Sequence, residues 1–279
     1  MDTLERRDVS GLAPIEEPGL VALASPGTER HARTVAARAG RAHAWLSELL
    51  GFPPRVEVCV LAPGDWGRVT PVPVFGFPHF VGEGTLVVAV TPAPFFDEQL
   101  VGLIRPGLDN EGRFRLRAVY GDPPRVQPFS DLLVVHELAH LYHAQSGFWF
   151  PERWLSELFC NLALEGWVVE HEPELTQVLH TLPQLGVAAI DPATLPVRDL
   201  ARMEQALDAG PAGPANYAWY QMRLEVAATA IWSCGGPDTL RRLLDRFRGG
   251  EPPADLRAAL RDDVHPSVAD VIDDWPAAR

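Results

Sequence analysis

The sequence has few cysteines, few basic residues and no long hydrophobic run. No apolar stretch approaches the roughly 20 residues that a membrane-spanning helix requires, so we expect no membrane segment. Residues 1–18 mix charges of both signs and lack the apolar core of a secretory signal. A soluble, cytoplasmic protein is therefore the expectation.

Basic residues are outnumbered by acidic ones, 24 to 37, and the formal net charge is −13. An acidic chain repels nucleic-acid phosphates, and no basic stripe reverses this, so we do not expect a nucleic-acid partner. The cysteines are Cys59, Cys160 and Cys234. Because their number is odd and no CxxC pair occurs, they are predicted to be buried, reduced thiols.

The patterns of apolar residues differ between the two halves of the chain. Alternation predicts strands at 55–62 and 84–90, and a possible short strand at 113–120, with a helix at 28–50. Helical patterns dominate later, at 130–147, 151–166 and 216–236 and in shorter helices beyond. The segments 1–27, 63–83 and 172–214 are predicted to be irregular or loosely structured.

Since strands and helices are segregated, we predict an α+β fold. A mixed N-terminal lobe, 1–147, would hold a few-stranded sheet packed on the helix at 130–147. A helical lobe, 148–279, would follow, and the two together would form one catalytic unit. With 47% apolar residues in 279, the chain can bury a substantial core.

The sequence HELAH at 136–140 carries the strongest chemical signal. His136 and His140 lie one helical turn apart, so both imidazoles can bind one Zn²⁺. Glu137 points about 100° round the helix, where it can act as general base on a metal-bound water. The alternative is an ordinary helix that contains two histidines by accident. On an otherwise apolar helix, however, unpaired polar groups are costly, and a metal ion removes that cost.

A catalytic zinc site needs a third protein ligand and an open position. Glu157, in the apolar stretch WLSELFCNL, is the predicted ligand on the next helix, although a solvated glutamate is the alternative. Asn161 shares its helix face and could orient His136 through a hydrogen bond. His143 and Glu165 are rival ligands. We place His143 beside the metal site as a supporting or substrate-pocket residue, and Glu165 too far along the helix.

HELAH followed by WLSEL resembles the gluzincin metallopeptidases, the clan that includes thermolysin and aminopeptidase N. The residues that match the second motif of the aminopeptidase branch are Trp154, Leu155, Glu157 and Phe159, whereas Leu158 replaces a glycine. The resemblance implies His136, His140 and Glu157 as zinc ligands and Glu137 as the base. Asn161 occupies the place of an aspartate that supports the first histidine in thermolysin-like members. The connection from His140 to Glu157 is shorter than usual.

The C-terminal half resembles small bacterial peptidase-MA-like proteins. The similar features are Tyr217-Ala218, Gly235-Gly236, the LRRLLDRF run and Trp275. In this clan an edge strand beside the metal pairs with extended peptide substrate. The resemblance therefore implies substrate binding along 84–90, at Gly84, Thr85, Leu86 and Val87, although a plain core strand is equally consistent with this sequence.

Acyl-transfer transition states develop negative charge, so an oxyanion donor is also expected. Tyr217 and Tyr220 are the candidates, and Tyr217 fits the family pattern better. His79 is a weaker candidate, and a packed core tyrosine is the alternative for either tyrosine.

The predicted function is hydrolysis of peptide bonds in a peptide or protein substrate. Two other functions remain open. A zinc hydrolase of another amide, an ester or an epoxide would use the same residues. A binding module with a structural zinc would have no use for Glu137, and would usually fill the fourth metal position with Cys or His.

Overall fold

A computed structural model describes residues 8–91, 93–147, 150–248 and 252–276. Its strands are β1 (Ala13–Ile15), β2 (Val21–Ala24), β3 (Glu57–Leu61), β4 (His79–Val81) and β5 (Thr85–Ala89). Its α-helices are α1 (Glu29–Leu50), α2 (Pro63–Val69), α3 (Val101–Ile104), α4 (Asn110–Tyr120), α5 (Gln127–Gln145), α6 (Arg153–His171), α7 (Thr176–Ala189), α8 (Gly213–Phe247), α9 (Leu256–Ala259) and α10 (Pro266–Asp273). Short 3₁₀ and π turns connect them.

The protein is mixed α+β, as predicted: the sheet lies near the N-terminus and the C-terminal region is helical. The chain forms two compact units. Unit 1 comprises Met1–Gln99 and Arg125–Ser146, and unit 2 comprises Leu100–Pro124 and Gly147–Arg279. The segment Leu100–Pro124, which the sequence analysis placed in the N-terminal lobe, thus belongs to unit 2. No helix in the described ranges has the length and apolar character to cross a membrane.

Unit 1 is built on a five-stranded sheet with strand order β1-β2-β3-β5-β4. The strands β2, β3 and β5 run parallel, whereas β1 and β4 are antiparallel to their neighbours. All five residues of β5 are buried, as expected for a strand that is covered on both faces. The helices α1 and α5 pack together, and α5 also packs against β5. The Tyr142 hydroxyl on α5 lies 2.8 Å from that of Ser47 on α1.

Unit 2 is a helical assembly in which α6 and α7 both pack against α8. Gly166 permits the close approach of α6 to α8, because a Cβ atom there would lie 2.3 Å from the Trp232 ring. The helix α8 is broken at Gly236, whose φ of 56° and ψ of −153° are not helical. This break agrees with the predicted end of the helix at 216–236.

Several sequence-based predictions of local structure were wrong. The segment 113–120 is helical, not a strand: it belongs to α4, and Asp109 caps that helix by accepting a hydrogen bond from the Gly112 amide at 2.7 Å. Alternation of Arg with apolar residues resembled a β pattern. In the helix Leu116 and Tyr120 are buried four residues apart, while Phe114 is 70% exposed.

Three segments that were predicted to lack regular structure contain some. The segment 63–83 includes α2 and β4, since Pro63 stands in the first turn of a helix and needs no amide donor there. The described part of 1–27 includes β1 and β2, and 172–214 includes α7. The helix that carries HELAH begins at Gln127, three residues before the predicted start at position 130. The cysteines are free, but only Cys59 and Cys160 are buried; Cys234 is exposed, contrary to the prediction.

Candidate metal centre

The HELAH motif lies in the middle of α5, a helix that is buried along most of its length. The rings of His136 and His140 are adjacent, with centroids 5.1 Å apart and planes inclined by 76°. His136 is 6% exposed, while Glu137 and His140 are half-buried. The helix therefore brings two imidazole donors and one carboxylate together within a single turn, as the spacing predicted.

A third imidazole, that of His143, orients His140. The Nδ1 atom of His140 lies 3.0 Å from Nε2 of His143, within hydrogen-bond distance. If Nδ1 of His140 donates this bond, its Nε2 carries the lone pair that a metal ion requires. His143 is buried, at 1% exposure. His143 thus contacts His140, and its role beside a metal ion stays a prediction.

The strand that the sequence predicts as the substrate-binding edge, β5, is not at an edge of the sheet. The strand β5 pairs with β3 on one side and with β4 on the other, so it is an interior strand. The carbonyl oxygen of Gly84 is also used within the sheet, because it accepts a hydrogen bond from the Glu57 amide at 2.8 Å. The prediction that substrate pairs along 84–90, at Gly84, Thr85, Leu86 and Val87, is therefore wrong for this structure: the backbone groups of β5 already serve the sheet.

The strand β4 is one of the two edge strands of the sheet, and β1 is the other. Among the described residues no strand pairs with the outer side of β4. The ring of Phe80, in the middle of β4, lies 6.1 Å from the ring of His140, measured between centroids. A side chain of an edge strand therefore lies beside the second histidine of the motif. The sequence does not predict β4, because three residues between glycines and prolines carry no periodic signal.

His79, also on β4, has a structural role. Its Nε2 atom lies 2.6 Å from the Thr70 hydroxyl, and its Nδ1 atom lies 2.7 Å from the Phe77 carbonyl oxygen. Burial lowers the pKa of the His79 imidazole, although the bond to the Phe77 carbonyl opposes this shift. Both ring nitrogens are used within unit 1, which leaves no support for His79 as an oxyanion donor.

In unit 2, Glu157 is held by donors from two helices. On its own helix α6, the Nε atom of Arg153 donates to Oε1 at 2.8 Å. From α8, the Tyr217 hydroxyl donates to Oε1 at 3.2 Å and Nε2 of Gln221 donates to Oε2 at 2.8 Å. Glu157 is 1% exposed. A carboxylate so deeply buried needs a counter-charge and hydrogen bonds, and these three residues supply both.

The same network directs the proton of Tyr217 toward Glu157. Burial, reinforced by the negative charge of Glu157, raises the pKa of the Tyr217 phenol, so the hydroxyl keeps its proton. A phenol has one O–H, and here the structure directs it to Oε1 of Glu157. An oxyanion role for Tyr217 stays a prediction. The role that the observed hydrogen bonds give it is to hold Glu157.

Arg153 carries the positive charge of this network. Burial disfavours its charged form, but the carboxylate of Glu157, together with Tyr217, more than compensates and raises the pKa of the guanidinium. Its Nη2 atom also lies 3.4 Å from the Tyr217 hydroxyl. Arg153 and Gln221 were not identified from the sequence. Helical spacing could have identified them, because Arg153 lies four residues before Glu157 and Gln221 lies four residues after Tyr217.

The remaining candidates in unit 2 have other partners. The Nδ2 atom of Asn161 donates to Oε1 of Gln221 over a long 3.4 Å. Oε2 of Glu165 lies 2.7 Å from Nε2 of His180, within hydrogen-bond distance. The Tyr220 hydroxyl donates to the Asp199 carbonyl at 2.7 Å, so it is held in the core.

The donor types on α5 suit zinc. Two neutral imidazoles one turn apart are common zinc ligands, and the contact between His140 and His143 provides the outer hydrogen bond that such ligands usually make. Comparison of the chain with models of protein families, with curated proteins and with solved structures found no match. The chemistry of these residues, rather than a relative, therefore has to carry a functional assignment.

Proposed function

We propose that the protein is a zinc-dependent metallohydrolase that cleaves peptide bonds. The observation that carries this proposal is the arrangement on α5, where His136 and His140 lie side by side with Glu137 between them in sequence. Glu157 completes the proposed ligand set on the strength of the motif spacing. A helix that presents two imidazoles one turn apart, with a carboxylate beside them in sequence, offers the ligands and the general base that a catalytic zinc site uses.

The roles of the chain's own residues follow from their chemistry. Zinc, when bound, supplies Lewis acidity that polarises a carbonyl group and lowers the pKa of water. Glu137 removes the proton from the attacking water and then delivers it to the leaving nitrogen. His143 fixes the tautomer of His140 through the 3.0 Å contact. Arg153, Tyr217 and Gln221 hold the carboxylate of Glu157 in one orientation.

The free edge of β4 favours a peptide over other substrates. An extended peptide can add to an unpaired strand edge through backbone hydrogen bonds, and only a polypeptide offers donors and acceptors at that repeat. The ring of Phe80, on this strand, lies 6.1 Å from the ring of His140. We therefore propose that substrate pairs with β4 rather than with residues 84–90. A cytoplasmic location remains a prediction from the sequence.

Metal analysis joined to an activity screen tests the proposal. Purified protein should bind one zinc per chain, and it should cleave members of a mixed peptide library. His136→Ala, His140→Ala and Glu157→Ala should each lose the metal, because two protein ligands rarely retain zinc. Two control variants should keep it: His43→Ala, whose imidazole contacts the Pro54 carbonyl, and Glu170→Ala, which is exposed on α6.

Three outcomes would contradict the proposal. Full zinc affinity in Glu157→Ala would remove Glu157 from the ligand set. Zinc loss in the control variants would mean that the other losses are unspecific. Firm zinc binding with no turnover of any peptide would favour a binding module over a peptidase.

A further inference from the structure

The amide of Gln221 occupies a central place in the network around Glu157. Its Nε2 atom lies 2.8 Å from Oε2 of Glu157 and 2.8 Å from the hydroxyl of Tyr217. A primary amide nitrogen carries two hydrogens, so both contacts can be donated bonds. One side chain therefore connects the carboxylate to the phenol that donates to the same carboxylate.

The network also determines which way the amide faces. If Gln221 were flipped, its Oε1 atom would face the carboxylate of Glu157, and two acceptors would repel each other. In the observed orientation Oε1 points instead toward Nδ2 of Asn161, at 3.4 Å. Each polar atom of the amide thus meets a group of the complementary kind.

The four residues lie on facing turns of two packed helices. Arg153 and Glu157 are four residues apart on α6, and Tyr217 and Gln221 are four residues apart on α8. The helices α6 and α8 pack closely within unit 2. Glu157 is therefore held from both sides by rigid elements, which is the condition for a ligand with one fixed orientation.

We infer that Gln221 is a positioning residue that orients the Glu157 carboxylate as a metal ligand. This inference rests on the proposed function, since it takes Glu157 to be the third zinc ligand. Arg153 supplies a positive charge beside Glu157, whereas Gln221, which is neutral, supplies direction through its bond to Oε2. Tyr217 is held by Gln221 and contributes to the same orientation.

A double-mutant cycle tests the contact itself in protein from which metal has been removed. The variants are Glu157→Gln, Gln221→Met and the double variant, with unfolding measured by urea titration. Methionine is similar in length to glutamine but donates no hydrogen bond. We expect the two changes to be coupled, so that the combined effect on the unfolding equilibrium constant departs from additivity by roughly 2- to 100-fold. Additive effects would overturn the inference.

Zinc affinity tests the role. Gln221→Met should bind zinc about 10- to 100-fold more weakly than wild type, as is usual when an outer partner of a ligand is lost. The matched control is Gln184→Met, which removes a 2.7 Å bond from Arg115 elsewhere in unit 2 and should leave affinity unchanged. If Gln221→Met fails to fold, Gln221→Glu keeps the shape and places a second acceptor beside Glu157, and its affinity should fall further.

The two tests separate this inference from the proposed function. Zinc binding that needs Glu157 but is unchanged in Gln221→Met would overturn the inference and leave the proposed function intact. Zinc binding that does not need Glu157 would overturn both. Coupling in the cycle would then show only a structural contact, because a bond that stabilises the fold without affecting metal is not a positioning role.

Discussion

The Nδ1 atom of His140 lies 3.0 Å from the Nε2 atom of His143, one turn further along α5. Three histidines on one helix could suggest three metal ligands. A single straight helix cannot readily surround a small ion, however, and the observed contact gives the third imidazole a different role. When Nδ1 of His140 donates in this contact, Nε2 is left as the nitrogen through which His140 can bind metal.

We expect His143→Ala to weaken zinc binding by about 10- to 100-fold, because outer hydrogen bonds of this kind usually contribute that much to metal affinity. His143→Gln keeps a polar group near Nδ1 of His140 and should lose less. The measurement is competition with a chelator of known affinity. Complete loss of zinc in His143→Ala, equal to that in His136→Ala, would instead identify His143 as a ligand.

Glu137 is the residue that distinguishes an enzyme from a zinc-containing binding module. Glu137→Gln preserves shape but cannot accept a proton. We expect native folding and full zinc occupancy, with the hydrolytic rate lower by roughly 10²–10⁴, the usual contribution of general acid–base catalysis. The rate is measured on a peptide that wild type cleaves. Wild-type activity in the variant would show that another group acts as the base.

Substrate pairing with β4 makes a prediction about peptide backbone groups. Along an extended peptide, successive N–H groups point to opposite sides, so only every second one can face the edge of β4. N-methylation at those positions should lower kcat/KM by roughly 2- to 12-fold for each hydrogen bond lost. Methylation at the positions between them is the control. Equal effects at all positions would exclude strand addition as the binding mode.

The sequence was most informative where one short pattern determines both structure and chemistry. HELAH lies on a buried helix, as its spacing predicts, because the positions of side chains four residues apart depend only on local helical geometry. The segregation of strands and helices likewise identified the α+β class. Both predictions rest on contacts between residues that are near each other in the chain.

Features that depend on distant contacts were not predictable in the same way. The apolar run of β5 is consistent with either an edge or an interior strand. It is an interior strand because the three-residue β4 pairs with it. The segment 113–120 has a pattern that suits both a strand and a helix, and the Asp109 cap favours the helix. The donors to Glu157 include Tyr217 and Gln221, which are about 60 residues away and reach it only when α6 and α8 pack.

Glu225 on α8 is a buried carboxyl group outside the proposed site, at 4% exposure. Neither of its oxygens has a hydrogen-bond partner among the residues that the structure describes. Burial, reinforced by the negative charge of Glu165, raises the pKa of Glu225 well above 4.5. The carboxyl group of Glu165 contacts Nε2 of His180 at 2.7 Å and is thus not a hydrogen-bond partner of Glu225. The folded state therefore favours Glu225 in its neutral, protonated form.

A raised pKa in the folded state makes stability fall as pH rises. Above pH 4.5 the unfolded chain releases the Glu225 proton while the folded chain retains it, so the free energy of unfolding decreases until pH passes the folded pKa.

Glu225→Leu removes this group. In metal-free protein we expect the variant to be more stable than wild type by about 1–3 kcal/mol at pH 8, because it loses an unsatisfied buried polar group and, with it, the destabilisation that the raised pKa of Glu225 adds as pH rises. The difference should shrink toward pH 4.5. Urea titrations between pH 5 and pH 9 measure it, with the exposed Glu170→Leu as control. A difference that does not vary with pH would mean that Glu225 has an ordinary pKa in the folded protein.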